Sequence, residues 1–246
     1  MHNAAFAAMG LDWVYVAFPV PRSHGEAAVR GIPDLGLAGL NVTMPHKQDA
    51  ARACDVLMGE AAALGAVNTV VADRDGVLRG LATDGPGFLR ALADEGFDPQ
   101  AKSALVLGAG GAARAIALAL GGAGSTVTVA ARRVDAARGA AALAGGDGIS
   151  LANVELDAFD LVVNATPLGM NGEPPPIDAD RLRPGQFVYD TVYPHDTPLL
   201  DAARQRNVEC AAGLGMLVHQ GALSFELWTG QAPPLDVMRR AATVEE

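Results

Sequence analysis

Hydrophobic and polar positions follow two different rules along this chain. Up to residue 83 the apolar stretches are short and interrupted. Residues 2–9 read as a helix ended by Gly10, and residues 14–18 as a strand before the turn-forming Pro19 and Pro21. Residues 25–32 predict a helix, residues 39–43 a strand, and residues 47–64, rich in alanine, leucine and methionine, one long helix. Residues 66–72 and 77–82 predict paired strands around Asp73-Arg74-Asp75-Gly76, a strong hairpin signal.

Past Thr83-Asp84-Gly85 the rule changes. Residues 86–95 predict a helix, and Ala104-Leu105-Val106-Leu107 is apolar without alternation, as suits a parallel strand buried on both faces. It feeds Gly108-Ala109-Gly110-Gly111-Ala112-Ala113, then an apolar helix over residues 114–120 and a strand over residues 126–130, a βαβ unit. A helix over residues 136–143 and strands over residues 161–164 and 187–190 continue the alternation. The fold class is therefore α/β, with a Rossmann-type doubly wound parallel sheet and a smaller α/β domain. Pro174-Pro175-Pro176 marks a loop, and residues 220–228 and 237–243 predict closing helices.

The glycine turn matches G-x-G-x-x-A. Gly108 permits the tight turn, Gly110 lets backbone approach a pyrophosphate, and the small Ala113 lets helix pack on strand. The helix N-terminus that follows presents N–H groups and a positive dipole end to an anion. Strand, turn, helix and second strand fall in the required order, so Gly108, Ala109, Gly110, Gly111 and Ala112 are candidate dinucleotide contacts. After the second strand the chain reads Ala131-Arg132-Arg133, where an acidic residue would have signalled a free ribose 2′-hydroxyl. Two guanidinium groups suit a 2′-phosphate and favour NADP, the alternative being a solvated basic turn.

Composition narrows the partners. Half of the 246 residues are hydrophobic, ample for a sizeable core, and 28 acidic against 18 basic residues give a net charge of −10. That balance argues against nucleic acid and anionic membrane, both of which need a basic face. Cys54 and Cys210 are far apart and show no CxxC, and the five histidines have no metal-ligand spacing, so neither a disulfide framework nor a metal site is expected. With no secretory signal and no apolar run long enough to span a bilayer, the expected location is the cytoplasm.

Candidate chemistry sits in four polar segments. In Asn41-Val42-Thr43-Met44-Pro45-His46-Lys47, Pro45 fixes its own φ and biases Met44 away from the helical region. The first three residues then end a strand, and Lys47 begins a helix. A lysine at such a mouth can hand a proton to a substrate, although a single lysine is more often a solvated side chain. Gly65-Ala66-Val67-Asn68-Thr69 offers an amide, Thr83-Asp84-Gly85 a carboxylate, and the block from Gly213 to His219-Gln220 a second amide. Each has a plain rival: Asp84 as a helix cap, Asn41 as support for a turn, Gln220 as a first-turn helix residue, Tyr193 as a packing residue.

Taken with the helix Met1-His2-Asn3-Ala4-Ala5-Phe6, with Asn164-Ala165-Thr166-Pro167-Leu168-Gly169-Met170, and with Asp190-Thr191-Val192-Tyr193, these segments resemble the shikimate dehydrogenase family over almost the whole chain. The resemblance implies reversible, NADP-dependent reduction of 3-dehydroshikimate to shikimate in aromatic amino acid biosynthesis. It places Lys47 and Asp84 as the catalytic pair. Thr43, Asn68, Tyr193 and Gln220 join them around the substrate, and Thr191 and Gly213 lie near the nicotinamide. In the family a strand and a Ser-x-Ser loop that binds the substrate carboxylate precede the Met-His-Asn helix. That segment does not stand before Met1 in this sequence: either Met1 is an internal methionine of a longer product, or the segment is absent, which would leave a sheet edge unpaired and remove two hydroxyl donors. The family's Asn-Arg-Thr after the second dinucleotide-domain strand is here Ala131-Arg132-Arg133, which keeps the central arginine.

The expected organisation is a discontinuous substrate domain, residues 1–83 and 219–246, and an NADP-binding Rossmann domain, residues 84–218, with the active site in the cleft between them. A small-molecule substrate is the expected partner, in a monomer or homodimer. A quinate or other cyclic polyol acid dehydrogenase using NAD or NADP is the alternative within oxidoreductases. A catalytically impaired nucleotide-binding regulator is the alternative of another class.

Overall fold

The structure is a computed structural model that describes residues 1–243. The expected substrate domain thus includes residues 244–246, which lie outside the described residues. The chain forms two compact units, one of residues 1–87 with the chain from Val218 onward, the other Phe88–Leu217.

The first unit opens with α1 (His2–Ala8) and α2 (Gly25–Arg30), followed by β1 (Gly39–Asn41), α3 (Lys47–Ala53), β2 (Val56–Leu57) and α4 (Glu60–Leu64). Strands β3 (Thr69–Ala72) and β4 (Leu78–Leu81) then form the expected hairpin, paired antiparallel from Thr69–Leu81 to Ala72–Leu78. The Asp73 carboxylate fixes the turn by accepting the Asp75 and Val77 N–H groups at 3.0 and 2.9 Å. Sheet order is β1-β3-β4-β2, with β1 antiparallel to β3 and β2 parallel to β4. Val29, Ile32, Ala50, Ala53, Val67, Val70 and Leu78 fill its core.

Two expectations fail in this unit. Residues 14–18 form no strand. Their apolar side chains are left in solvent, Val14 75 %, Val16 52 % and Phe18 53 % exposed. A run of strand-forming residues becomes a strand only when a neighbouring strand satisfies its backbone. The segment is held instead at Tyr15, whose backbone N–H and C=O both bond the Asn3 amide, and whose ring stacks on His2 at 4.4 Å. Residues 47–64 are not one helix either. Cys54 turns extended at ψ 142°, Asp55 exchanges bonds with Leu78, and β2 pairs with β4, so sheet pairing overrides helix propensity.

Helix α5 (Asp84–Asp94) begins at Asp84, and the boundary between the units falls within it. In the second unit β5 (Ser103–Leu107), α6 (Gly111–Gly122), β6 (Thr126–Ala131), α7 (Val134–Ala141), β7 (Asp147–Ser150), β8 (Leu161–Asn164), β9 (Phe187–Asp190), α8 (Pro198–Gln205) and β10 (Glu209–Ala212) follow in order. The sheet is all parallel in the order β10-β9-β8-β5-β6-β7, which is the doubly wound arrangement. Strand β5 shows why its sequence does not alternate. Ala104 and Val106 pack on α6 and α7, while Leu105 and Leu107 pack on α8, so both faces are dry.

Strands β7 and β10 and helix α8 lie where no element was expected. Helix α9 (Leu214–Thr229) begins six residues ahead of the expected start, and α10 (Leu235–Thr243) closes the chain. In the first unit α9 packs on α1 through Phe225 and Phe6 at 5.0 Å, and the Trp228 indole N–H bonds the Val70 carbonyl at 3.0 Å. Among the described residues no helix is long and apolar enough to cross a membrane.

Candidate active site

Lys47 is the first residue of α3, and its backbone carbonyl accepts the Val67 N–H at 2.9 Å. Its Nζ donates to Asp84 Oδ2 at 2.6 Å, and both side chains are largely buried. Asp84 Oδ1 accepts from Asn68 Nδ2 at 2.9 Å. The two carboxylate oxygens are thus divided between a cation and an amide, which fixes the plane of the group. Asn68 cannot turn, because its Oδ1 accepts the Thr83 N–H at 2.7 Å while Nδ2 also reaches Thr83 Oγ1 at 2.9 Å and Gln220 Oε1 at 3.3 Å. Four of the expected residues, Lys47, Asn68, Asp84 and Gln220, therefore converge within the first unit.

Thr43, the fifth expected residue on this unit, is exposed, and its carbonyl accepts the His46 N–H at 3.0 Å. Behind it His46 holds the loop. One ring nitrogen meets Asp49 Oδ2 at 3.0 Å and the other the Val20 carbonyl at 2.9 Å. The Asp49 bond first, then the Val20 bond, raises the His46 pKa above its ordinary 6.5. Carboxylate and carbonyl both accept, so both contacts persist only in the doubly protonated ring. A raised folded pKa means that this stabilisation is complete below pH 6.5 and is lost as pH rises through the folded value. Thermal unfolding followed over roughly pH 6–9 should show a decline in the parent that a His46→Gln variant lacks. Equal slopes in the two proteins would contradict this role.

Sequence reasoning missed three buried residues that bear on this cluster: Thr83 accepts from Asn68, Ser224 donates to the Gln220 carbonyl, and Thr69 lies between Thr83 and Ser224. For Ser224 a signal existed. It lies four residues after Gln220, hence on the same helix face.

The remaining expected residues belong to the second unit. Gly108 stands at φ +109°, where an added Cβ would lie 3.0 Å from the Ala165 carbonyl oxygen, so the turn requires glycine. Gly110, the N-cap of α6, has open space on its Cβ side and makes no side-chain cap bond. Ala109 packs against the core, and Gly111 and Ala112 open the helix. Arg132 and Arg133 follow β6 directly and are exposed, with Arg133 capping α7. A bare helix N-terminus beside two exposed guanidinium groups fits a phosphorylated dinucleotide.

Thr191 follows β9 and donates its N–H to the Asn164 carbonyl at 2.9 Å, and Tyr193 is half exposed two residues on. The turn between them is braced by the buried Asp190, which accepts from Asn164 Nδ2, Thr197 Oγ1 and the Val192 N–H. Burial pushes the Asp190 carboxyl above the usual range. Gly213 is buried and donates its N–H to the Val192 carbonyl at 3.2 Å.

Comparison with known proteins gives a consistent picture. Residues 1–70 match the family model described as shikimate dehydrogenase substrate binding domain, and residues 213–243 the shikimate 5′-dehydrogenase C-terminal domain. A shikimate dehydrogenase (NADP(+)) of Methanopyrus kandleri is 47% identical over 257 residues, 98% of this chain and 88% of its own. One from Moorella thermoacetica is also 47% identical, over 98% of this chain and 86% of its own. The crystal structure of shikimate 5-dehydrogenase from Thermus thermophilus in complex with NADP(H) and shikimate superposes with a TM-score of 0.91 at 37% identity, covering 98% of this chain and 91% of its own.

Proposed function

The chain belongs to the shikimate dehydrogenase family, and we propose that Lys47 and Asp84 handle the proton of its reaction. That reaction is the NADP-dependent, reversible reduction of 3-dehydroshikimate to shikimate. The observation that carries the assignment is the 2.6 Å contact of Lys47 Nζ with an Asp84 carboxylate whose other oxygen is taken by Asn68.

The bound nicotinamide supplies or accepts the hydride. The protein must then manage charge on oxygen. Reduction of the carbonyl carbon leaves an alkoxide that has to collect a proton, and Lys47 delivers it from Nζ. In the reverse direction Lys47 takes the hydroxyl proton. Asp84 holds Nζ in place and accepts from a neighbouring substrate hydroxyl. Asn68 and Gln220 hold further hydroxyls of the ring, each with an amide that can donate and accept. Thr43 and Tyr193 line the ring and its carboxylate, and Thr191 and Gly213 border the nicotinamide. Gly108, Ala109, Gly110, Gly111 and Ala112 cradle the pyrophosphate, and Arg132 and Arg133 bind the 2′-phosphate. Residues 1–83 with the C-terminal helices form the substrate domain of a cytoplasmic monomer or homodimer, and residues 84–218 form the NADP domain.

The deciding assay is NADP reduction with shikimate, beside quinate and NAD. Turnover with shikimate and NADP is expected to exceed the other combinations. Retained NADP binding without any turnover would refute the enzymatic assignment. Arg132→Ala should raise KM for NADP about tenfold and leave KM for NAD unchanged, since a hydrogen bond to a charged group is worth about 1.5–3 kcal/mol and this one is partly solvated. An equal effect on both cofactors would remove the 2′-phosphate role.

A further inference from the structure

Behind the four site residues runs a row of buried hydroxyls. Thr83 Oγ1 lies 3.0 Å from Thr69 Oγ1, and Thr69 Oγ1 lies 2.8 Å from Ser224 Oγ, which bonds the Gln220 backbone carbonyl at 3.0 Å. Asn41 Nδ2 reaches Ser224 Oγ at 2.8 Å and Thr69 Oγ1 at 3.2 Å, while its Oδ1 accepts from the Tyr15 hydroxyl at 3.1 Å.

The two ends fix which way the protons point. At one end Asn68 Nδ2 can only donate, so Thr83 Oγ1 accepts. At the other end the Gln220 carbonyl can only accept, so Ser224 donates. Each hydroxyl has one proton. Ser224 having given its proton to Gln220, Thr69 must donate to Ser224, and Thr83 must donate to Thr69. The reverse order would turn the Ser224 proton away from Gln220 and leave that of the buried Thr83 without an acceptor in the row, at a cost that buried polar groups rarely carry.

The geometry points to Thr69 and Ser224 as positioning residues for the reaction: their directed hydroxyl row holds Thr83 as an acceptor and thereby sets the Asn68 amide toward Asp84. The inference rests on the reading of Lys47, Asp84, Asn68 and Gln220 as the site. If Thr69 could not accept, the Thr83 proton would lose its acceptor in the row and the hydroxyl would no longer be held in one orientation. The Asn68 amide would keep its bond from the Thr83 N–H but would be set less firmly toward the Asp84 carboxylate that holds Lys47. Tyr15 and Asn41 feed the same row from the far side, so residues remote from the substrate are linked to it by hydrogen bonds alone.

Thr69→Val keeps the β-branched shape in β3 and removes only the hydroxyl. Shikimate affinity measured by calorimetry without cofactor should fall about tenfold, a change of about 1.4 kcal/mol. KM for shikimate should rise in step and kcat should fall, while KM for NADP stays unchanged. A mere loss of folded protein would lower apparent kcat with both KM values constant. Thr69→Ser, which restores the hydroxyl, should recover most of the loss. Ser224→Ala should move shikimate affinity the same way, and it decides the matter if Thr69→Val does not fold. Shikimate affinity within about twofold of the parent in the folded variants overturns the inference. Undiminished turnover in Lys47→Ala would instead overturn the reading of the site, so the two failures are distinguishable.

Discussion

Lys47→Ala should lower kcat by about 10²–10⁴-fold, the usual worth of a positioned general acid or base. The substitution removes the group that contacts Asp84 Oδ2 and leaves the carboxylate its Asn68 bond. Some stability will go with it, because a largely buried carboxylate loses its cation. Lys47→Arg separates the two effects. A guanidinium preserves the ion pair but is never deprotonated in proteins and cannot exchange the proton. The arginine variant should therefore fold, bind NADP as the parent does, and still lack most of the turnover. Burst-free steady-state assays in both directions provide the check, since one group serves both. An arginine variant with parental kcat would reduce Lys47 to a charge that merely attracts substrate.

Gly213→Val should strongly destabilise the fold. A Cβ at this position would stand 2.2 Å from the Thr191 carbonyl oxygen and 2.5 Å from its carbon. These are backbone atoms, and no side chain can swing aside. Thr191 is itself tied to the Asn164 carbonyl, and Gly213 to Val192, so relief requires moving the ends of β9 and β10. Forcing atoms into packed structure costs about 1–3 kcal/mol and occasionally more, and a backbone collision belongs at the upper end. At roughly 2–4 °C per kcal/mol for a chain of this size, the melting temperature should fall by on the order of 10 °C. NADP affinity should fall as well, because both residues border the proposed nicotinamide position. A melting temperature within about 2 °C of the parent would mean that the two loops are far softer than their hydrogen bonds imply.

Much of this was legible before any coordinates, for identifiable reasons. The parallel sheet was readable at β5, where four apolar residues in a row, running straight into a glycine turn, suit a strand dry on both faces. The hairpin at Asp73 was readable because Asp-Gly chemistry acts within a few residues. Four of the residues expected at the site, Lys47, Asn68, Asp84 and Gln220, stand out as residue types in ordered motifs, and the fold brings them together. What escaped depended on contacts distant in sequence. Residues 14–18 carry the composition of a strand, and nothing in composition says whether a neighbour exists. Residues 54–57 sit inside a helical composition but are captured by β4. Helix α8 carries a local signal in Thr197-Pro198, a capping threonine before a proline in the first turn, and the Thr197 hydroxyl accepts the Leu200 N–H. Thr69 and Ser224 lie 155 residues apart, and only the fold makes their hydroxyls neighbours.

The exposed run at Val14, Val16 and Phe18 also bears on how the protein behaves in concentrated solution. An exposed apolar segment is a surface on which copies of the chain can associate. Mutual repulsion between molecules carrying a net charge of −10 opposes that approach. The repulsion reaches about 10 Å at 0.1 M salt but only about 3 Å at 1 M. Strong salting both screens the charge and strengthens apolar attraction, so association through these side chains should be favoured at high ionic strength over dilute buffer.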